Sequence, residues 1–278
     1  MDYNIVIPYT TVGSKWEENE LRHTLRSIEE NCKFDYDITI YSDNKIDWIK
    51  NVNVKIVKRY YPEKALKTFD GVKHYEQFYD TLNKLRLISE DDDLGENLLY
   101  FYDDILLMKE QDKDQIKTTY AGGRYADKAE YWNNPRGNKW RNTIHQAIDR
   151  ARGFGEVFLY ETHLPRFYNK SKLRKMFKMF PIDQMDIPYA PATLYFNMFY
   201  DKPDYLFEFD QDTTNNPIKA GFYATGYNLC DCFLSKTIQD IEVATKDKLW
   251  VNYSDTGLTD VLKQWIKTQF KNKCKFER

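Results

Sequence analysis

The sequence predicts an α/β fold, a mostly parallel sheet flanked by helices with a helical C-terminal part. Three observations carry this. Asn4 to Pro8 is a short β-branched run, Glu18 to Cys32 places Leu21, Leu25 and Ile28 at helical spacing, and Asp37 to Ser42 is again strand-like. Strand, helix and strand within about 40 residues make a βαβ unit, whose strands run parallel and whose ligands sit at the strands' carboxyl ends.

The later elements follow in order. Val54 to Val57 is a third strand, and Tyr75 to Ile88 a helix with Phe78, Leu82, Leu85 and Ile88 in one apolar stripe. Leu98 to Tyr102 is a continuous apolar run, which suits a central strand covered on both faces. It ends in Asp103-Asp104, and Ile105 to Met108 is apolar again, so the two acids interrupt what reads as one hydrophobic strand. The stretch 118–139, rich in Gly, Asn and Tyr, reads as a mobile active-site loop or a plain surface excursion. Glu156 to Tyr160 reads as a strand leading to Thr162-His163-Leu164-Pro165, and the basic run Arg166 to Lys178 as helical. The last 20 or so residues read as an amphipathic helix, with Leu258, Leu262, Trp265 and Ile266 on one face and Lys263, Lys267 and Lys271 on another.

A chain of 278 residues with no repeat or low-complexity tail reads as one domain. Its net charge of -2, with both signs interspersed, provides no global field toward nucleic acid or an anionic membrane. The opening residues lack the basic and apolar regions of a secretory signal, and no stretch is long enough to span a bilayer. Cys32, Cys230, Cys232 and Cys274 form no C-x-x-C pair, which predicts neither a zinc site nor a disulfide framework and points to the cytoplasm. The 22 Tyr and 17 Phe read as core packing in a Lys-rich chain, ahead of stacking platforms for sugars or bases.

An acid pair at the end of a buried strand is the central chemical clue, because a carboxylate there must be hydrogen-bonded, paired or metal-bound. Hard oxygen donors suit Mg²⁺ or Mn²⁺, which also bind a nucleotide diphosphate and neutralise charge on a leaving group. The competing reading of Asp103 and Asp104 is an acidic hairpin turn. Asp91-Asp92-Asp93 reads as a solvated turn. His163, just after a strand, is suited to proton transfer, although a loop histidine is more often structural. Lys84, on the helix before the acidic strand, reads as a phosphate ligand or as a solvated lysine. Asp255 reads as a second catalytic acid or as a helix N-cap, with Thr256 competing for the cap.

Three stretches, Glu18 to Ile28, Ile40 to Asn44 and Tyr100 to Asp104, resemble the second conserved region of the Stealth family. That family contains bacterial capsular polysaccharide phosphotransferases and the lysosomal-enzyme N-acetylglucosamine-1-phosphotransferase. His163-Leu164-Pro165 with Lys170-Ser171 is similar to the third region, and Ser254-Asp255 with the segment Phe270 to Glu277 to the fourth. The resemblance implies a GT-A-like, Rossmann-type core, a UDP-sugar donor and a divalent metal. It carries over Asp103 and Asp104 as metal or base residues, and His163 and Asp255 as active-site residues. With it, Gly13, Ser14, Arg22 and Lys84 become the candidate donor-binding residues, 1–116 a nucleotide-binding half, and 117–278 an acceptor-side half.

Departures from the family pattern bear on mechanism. Tyr102 stands where Asn usually precedes the acid pair, the first region's Asp-Gly-Ser-Asp loop is reduced to Gly13-Ser14, and Tyr189-Ala190-Pro191-Ala192-Thr193 replaces an arginine-bearing segment. Phosphoryl transfer calls for a bidentate arginine on the phosphate, so its loss favours attack at the sugar carbon, the alternative being that Arg124, Arg136 or Arg166 replaces it in space. The expectation is a metal-assisted glycosyltransferase acting on a hydroxyl acceptor. The alternatives are sugar-1-phosphate transfer to a polysaccharide, glycosylation of hydroxymethylated pyrimidines in phage DNA, and a non-catalytic nucleotide-sugar-binding protein. The size and the Tyr- and Lys-rich composition are similar to those of phage-encoded proteins, which would place the chain in a host cytoplasm. The basic runs at Arg166 to Lys178 and Lys263 to Lys275 suit phosphate contacts, but the net charge does not support DNA.

Overall fold

The computed structural model describes residues 3–11, 14, 16–63, 75–128, 139–162, 164–206, 226–229, 237–253 and 258–278. Its strands are β1 (Tyr3–Tyr9), β2 (Tyr36–Ser42), β3 (Asn53–Ile56), β4 (Asn97–Tyr100), β5 (Ile105–Leu107), β6 (Tyr120–Ala121), β7 (Arg166–Asn169), β8 (Tyr205–Leu206), β9 (Gly226–Leu229) and β10 (Trp250–Tyr253). The main sheet is ordered β3-β2-β1-β4-β7, with the first four strands parallel and β7 antiparallel to β4. The α/β class and the mostly parallel sheet are as the sequence predicts. The chain steps outward from β1 through β2 to β3, then returns to lay β4 on the other side of β1. The strand order therefore reverses between β1 and β4, and in open α/β sheets that reversal opens a crevice at the carboxyl ends.

Helices cover both faces because β1 and β4 alternate their apolar side chains with period two. Ile5, Ile7 and Leu99 pack on one side against Leu21, Leu25 and Ile28 of α1 (Asn19–Asn31). Val6, Leu98 and Tyr100 pack on the other against α2 (Glu76–Glu90), α3 (Lys139–Ala151), α4 (Lys170–Met179) and α5 (Pro191–Phe199). Each fully buried Leu or Ile in these layers contributes about 1.5–3 kcal/mol. Nine tyrosines are among the largest fully buried side chains, Tyr9, Tyr41, Tyr75, Tyr79, Tyr100, Tyr160, Tyr168, Tyr189 and Tyr195, so much of the aromatic content is core.

Strands β6 and β8 form a separate two-stranded parallel ribbon, and a second sheet, β5-β10-β9, lies beyond the acid pair. Leu106 and Val251 pack there with Leu262, Trp265 and Ile266 of α7 (Asp260–Gln269) and with Ile241 of α6 (Ile238–Thr245). The acid pair consequently does not interrupt one strand. It joins two sheets, since β4 belongs to the first and β5 to the second. Phe101 N still donates to Val6 O (3.0 Å), and the chain turns only at Asp103-Asp104.

Several local expectations are corrected. Among the described residues Val157 to Tyr160 forms one bridge, Phe158 with Arg124, because α5 takes both backbone groups of Phe158 and the N–H of Tyr160. Asn197 accepts from Phe158 N (2.8 Å) and donates to Phe158 O (2.7 Å), while Thr193 Oγ1 accepts from Tyr160 N (3.1 Å). The basic run begins as strand β7 and turns helical only at Lys170, where Asn169 caps α4 by accepting from Lys172 N. Thr259 caps α7 by accepting from Leu262 N, so that helix starts beyond Asp255 and Thr256, and it ends before Lys271. Asp91 is no solvated turn residue, because it accepts from Tyr41 Oη and from Lys55 Nζ (2.6 Å). Of the loop 118–139, the residues 129–138 lie outside the described ones. Its first part is pinned by Gly122 N to Leu159 O (2.7 Å), Leu159 N to Gly123 O (3.0 Å) and Tyr125 N to Val157 O (2.8 Å). Gly123 adopts φ 139°, a conformation that favours glycine. Among the described residues, no helix is long and apolar enough to cross a membrane.

Candidate functional site

The acid pair sits at the crevice that the strand reversal opens. Three residues past the last β1–β4 ladder pair, Val6 with Tyr100, the two strands reach Tyr9 and Asp103. Helix α1 holds the acid turn from below: Thr24 Oγ1 donates to Asp103 O (2.7 Å) and lies 3.0 Å from Ile105 O. Ser27 Oγ accepts from Leu107 N (3.1 Å), and Asn31 donates to Leu107 O (2.8 Å). Thr24, Ser27 and Asn31 thus run along one helix face and pair the backbone groups of Asp103, Ile105 and Leu107 that face it.

A second device fixes the residue before the pair. Arg166 opens β7 opposite Tyr100, is 4% exposed, and donates from one terminal nitrogen to Tyr102 Oη (2.8 Å). Its other terminal nitrogen pairs with Glu161 Oε2 (3.0 Å), and Glu161 Oε1 accepts from Ala192 N and Thr193 N (both 3.1 Å). The segment Tyr189 to Thr193 therefore offers helix amides to a carboxylate, and the arginine of the neighbourhood comes from β7. Glu161 and Arg166 stand on either side of His163 in the sequence. His163 lies outside the described residues, and its neighbours Thr162 and Leu164 are buried at the carboxyl end of β4.

The third contribution comes from β10, whose pairing of Asn252 with Ile105 brings its end to the acid turn. Burial pushes the Tyr253 hydroxyl well above its ordinary value, and the charges of Asp104, Glu20 and Asp103 push it further. Tyr9 is raised in the same way by burial, Asp103, Glu18 and Glu20. Both hydroxyls thus lie within reach of the charges of Asp103 and Glu20. Asp255 lies outside the described residues, just past Tyr253.

The candidate donor-binding residues have separate placements. Lys84 is 2% exposed, pairs with Asp80 (2.9 Å) and donates to Tyr9 O and Thr10 Oγ1 (both 2.8 Å), which anchors the end of β1 beside the crevice. It is thus not a solvated lysine. Ser14 Oγ accepts from Glu18 N (2.7 Å) and donates to Glu20 Oε2 (2.9 Å) at the start of α1. There Glu17 and Glu18 hold φ 52° and 63°, left-handed values that cost about 1–3 kcal/mol each and cluster at functional sites. Trp48 Nε1 donates to Glu18 Oε2 (2.6 Å) and helps hold this turn. Arg22 stacks on Trp48 (3.9 Å) and reaches Glu277 Oε2 (3.4 Å). Gly13 lies outside the described residues. Sequence reasoning names Arg166 only as a possible substitute for the missing arginine and does not single out Thr24, Glu161 or Tyr253; a polar residue inside an apolar helix stripe is the signal that points to Thr24.

No protein-family model matches the chain, and no curated protein matches it. Solved structures do. An active-site mutant of LgtC is similar at 13% identity and TM-score 0.48, with 98% of each chain covered. The galactosyltransferase LgtC in complex with donor and acceptor sugar analogs is similar at 11% identity and TM-score 0.46, again over 98% of each chain.

The residues present fit a divalent cation by their chemistry. Among the described residues, no three His, Cys, Asp or Glu side chains gather as a ligand set. Mg²⁺ needs only one or two carboxylates when substrate phosphates and water complete its octahedron, and Asp103 with Asp104 offers that number.

Proposed function

We propose that the chain is a nucleotide-sugar-dependent glycosyltransferase with a GT-A-like core, moving a sugar from a UDP-sugar to a hydroxyl of a glycan acceptor. One observation carries the reading: the acid pair lies at the sheet's reversal point, where β7 and β10 also bring the chain on either side of His163 and the chain leading to Asp255. Asp103 and Asp104 would hold Mg²⁺ or Mn²⁺, which when bound neutralises charge on a diphosphate leaving group. Thr24 and the Arg166–Tyr102 contact keep the acid turn in place before substrate arrives, the preorganisation that catalysis by positioning requires. His163 or a carboxylate, Asp104 or Asp255, takes the acceptor proton. The acceptor oxygen then bonds to the anomeric carbon as that carbon's bond to the UDP oxygen breaks. Ser14 and Lys84 order the loop and strand end that face the donor, and Gly13 and Arg22 complete the donor side.

The placement of Arg166 supports sugar over sugar-1-phosphate transfer. Stealth-type chemistry needs a guanidinium free to grip a phosphoryl group, whereas Arg166 is buried and spends its terminal nitrogens on Tyr102 and Glu161. Chromatography of a reaction with a panel of UDP-sugars, Mn²⁺ and glycan acceptors tests this. UDP is the expected nucleotide product; UMP as the main product would overturn the reading. Asp103→Asn and Asp104→Asn are expected to stay folded. At least one should weaken Mn²⁺-dependent UDP binding by more than the roughly 10–100-fold that losing an outer-shell partner costs. Calorimetry with both unchanged would remove the site.

A further inference from the structure

Away from the acid pair, a concavity of about 710 Å³ lies between the chain leaving β3, the second half of α2, and α4 with the turn after it. Its volume is that of a ligand pocket, about 300–1,000 Å³. Five cations line it, Lys58, Arg59, Arg86, Arg174 and Lys178, against the acids Glu90 and Asp183. Two of the cations are already spent: Arg86 pairs with Glu90 (2.7 Å) and Arg174 with Asp92 (3.0 Å). Among the described residues, no carboxylate comes within ion-pair distance of Lys58, Arg59 or Lys178. Cations without counter-charge around a concave wall focus a positive potential into it.

A buried polar chain ties the rim of the groove to the crevice. At that rim Tyr60 N donates to Asp80 Oδ1 (2.8 Å), Asp80 pairs with Lys84 (2.9 Å), and Lys84 donates to Tyr9 O (2.8 Å) beside the acid turn. From β3 to β4 is three interstrand spacings, about 14 Å, a distance that an extended oligosaccharide spans. A groove for a nucleic acid strand would combine its cations with several stacking aromatics. Here the lining aromatics are Tyr60 and Phe177, and Phe177 is buried in the core.

We propose that this groove holds the anionic part of the acceptor, a polysaccharide bearing phosphate or carboxylate groups, while one of its hydroxyls reaches the acid pair. The acceptor role rests on the glycosyltransferase reading; the anion site does not. Calorimetry at about 0.1 M salt with phosphomannopentaose, trigalacturonate, uncharged mannopentaose and a ten-residue oligothymidylate tests it. At least one anionic sugar is expected to bind about tenfold or more tighter than mannopentaose and the oligothymidylate, the preferred one identifying the anion. The triple variant Lys58→Ser, Arg59→Ser, Lys178→Ser, altered only at exposed positions, should lose that margin while Mn²⁺–UDP binding stays within about twofold. Equal binding by wild type and variant, competition of the sugar with UDP, or tighter binding of the oligothymidylate would each overturn the proposal. Because binding is read without turnover, failure of the transferase reading would show separately, as absent donor cleavage with groove binding intact.

Discussion

Two largely buried arginine–glutamate pairs use the same chemistry for different ends. Arg26 meets Glu277 through two parallel contacts of 2.6 and 2.7 Å, donates also to Phe270 O (2.8 Å), and Glu277 accepts from Cys274 N (3.2 Å). That pair closes the C-terminal tail onto α1. Arg166 meets Glu161 through one contact of 3.0 Å and directs its other terminal nitrogen at Tyr102, while among the described residues its Nε has no partner. The first pair is saturated and serves stability. The second tolerates an unsatisfied buried donor beside the acid pair, the kind of local compromise that functional sites retain.

The comparison breaks most directly at Arg166. Arg166→Met leaves Glu161 without its cation and frees Tyr102, so a loss of about 3–5 kcal/mol in denaturant unfolding is expected. Mn²⁺-dependent UDP binding should fall about 10–100-fold, and Arg166→Lys, which keeps the charge but not the fork, should restore stability more than binding. Unchanged UDP binding in Arg166→Met would reduce this pair to a second structural clamp.

Glu277→Gln should show the opposite profile: a stability loss of about 1.5–3 kcal/mol, the worth of hydrogen bonds to a charged group, with UDP binding within about twofold of wild type. Arg26 holds the Glu277 carboxyl at about 2, below its ordinary value of 4.5, despite the opposing effect of burial. With the folded value depressed, the contribution is present above pH 4.5 and is lost as pH falls toward 2. The variant should lack that loss, and urea midpoints measured down the pH range distinguish the two. A steep dependence that survives in Glu277→Gln would assign it to another group.

The first half of the fold is legible because its signals are local. Ile5 to Ile7, Leu21 with Leu25 and Ile28, and the stripe of α2 each fall within one element, and the acid pair stands out by ending an apolar run. The second sheet is not legible in this way: β10 is four residues whose partners lie across the chain in β5 and β9, and no short-range period announces them. Val157 to Tyr160 reads as a strand because strand composition says nothing of which hydrogen-bonding groups compete for it, and Asn197 and Thr193 win. The contacts of Tyr102 with Arg166, and of Thr24 with Asp103, cross 64 and 79 residues respectively, so a single sequence contains the residues but not their meeting.

The smallest expected effect sharpens what the tail clamp does to its surroundings. His23, on α1, is 2% exposed, lies flat against Trp16 with ring centres 4.9 Å apart, and has Nδ1 2.7 Å from Asn19 O. Burial lowers it to about 4; Asn19 O opposes that, Arg26 and Lys267 add to it, and Glu277 again opposes it. Because the folded value lies below the ordinary 6.5, the unfolded chain takes up the proton first. The stability His23 contributes is therefore complete above pH 6.5 and declines as pH falls toward 4. By pH 6 the decline amounts to about 0.8 kcal/mol. Glu277 remains charged throughout that interval, so the two groups separate by pH alone. His23→Gln removes the titration and should flatten the unfolding free energy between pH 7.5 and pH 6, which chemical denaturation resolves. An unchanged slope in that variant would mean that the proton goes to a group other than His23.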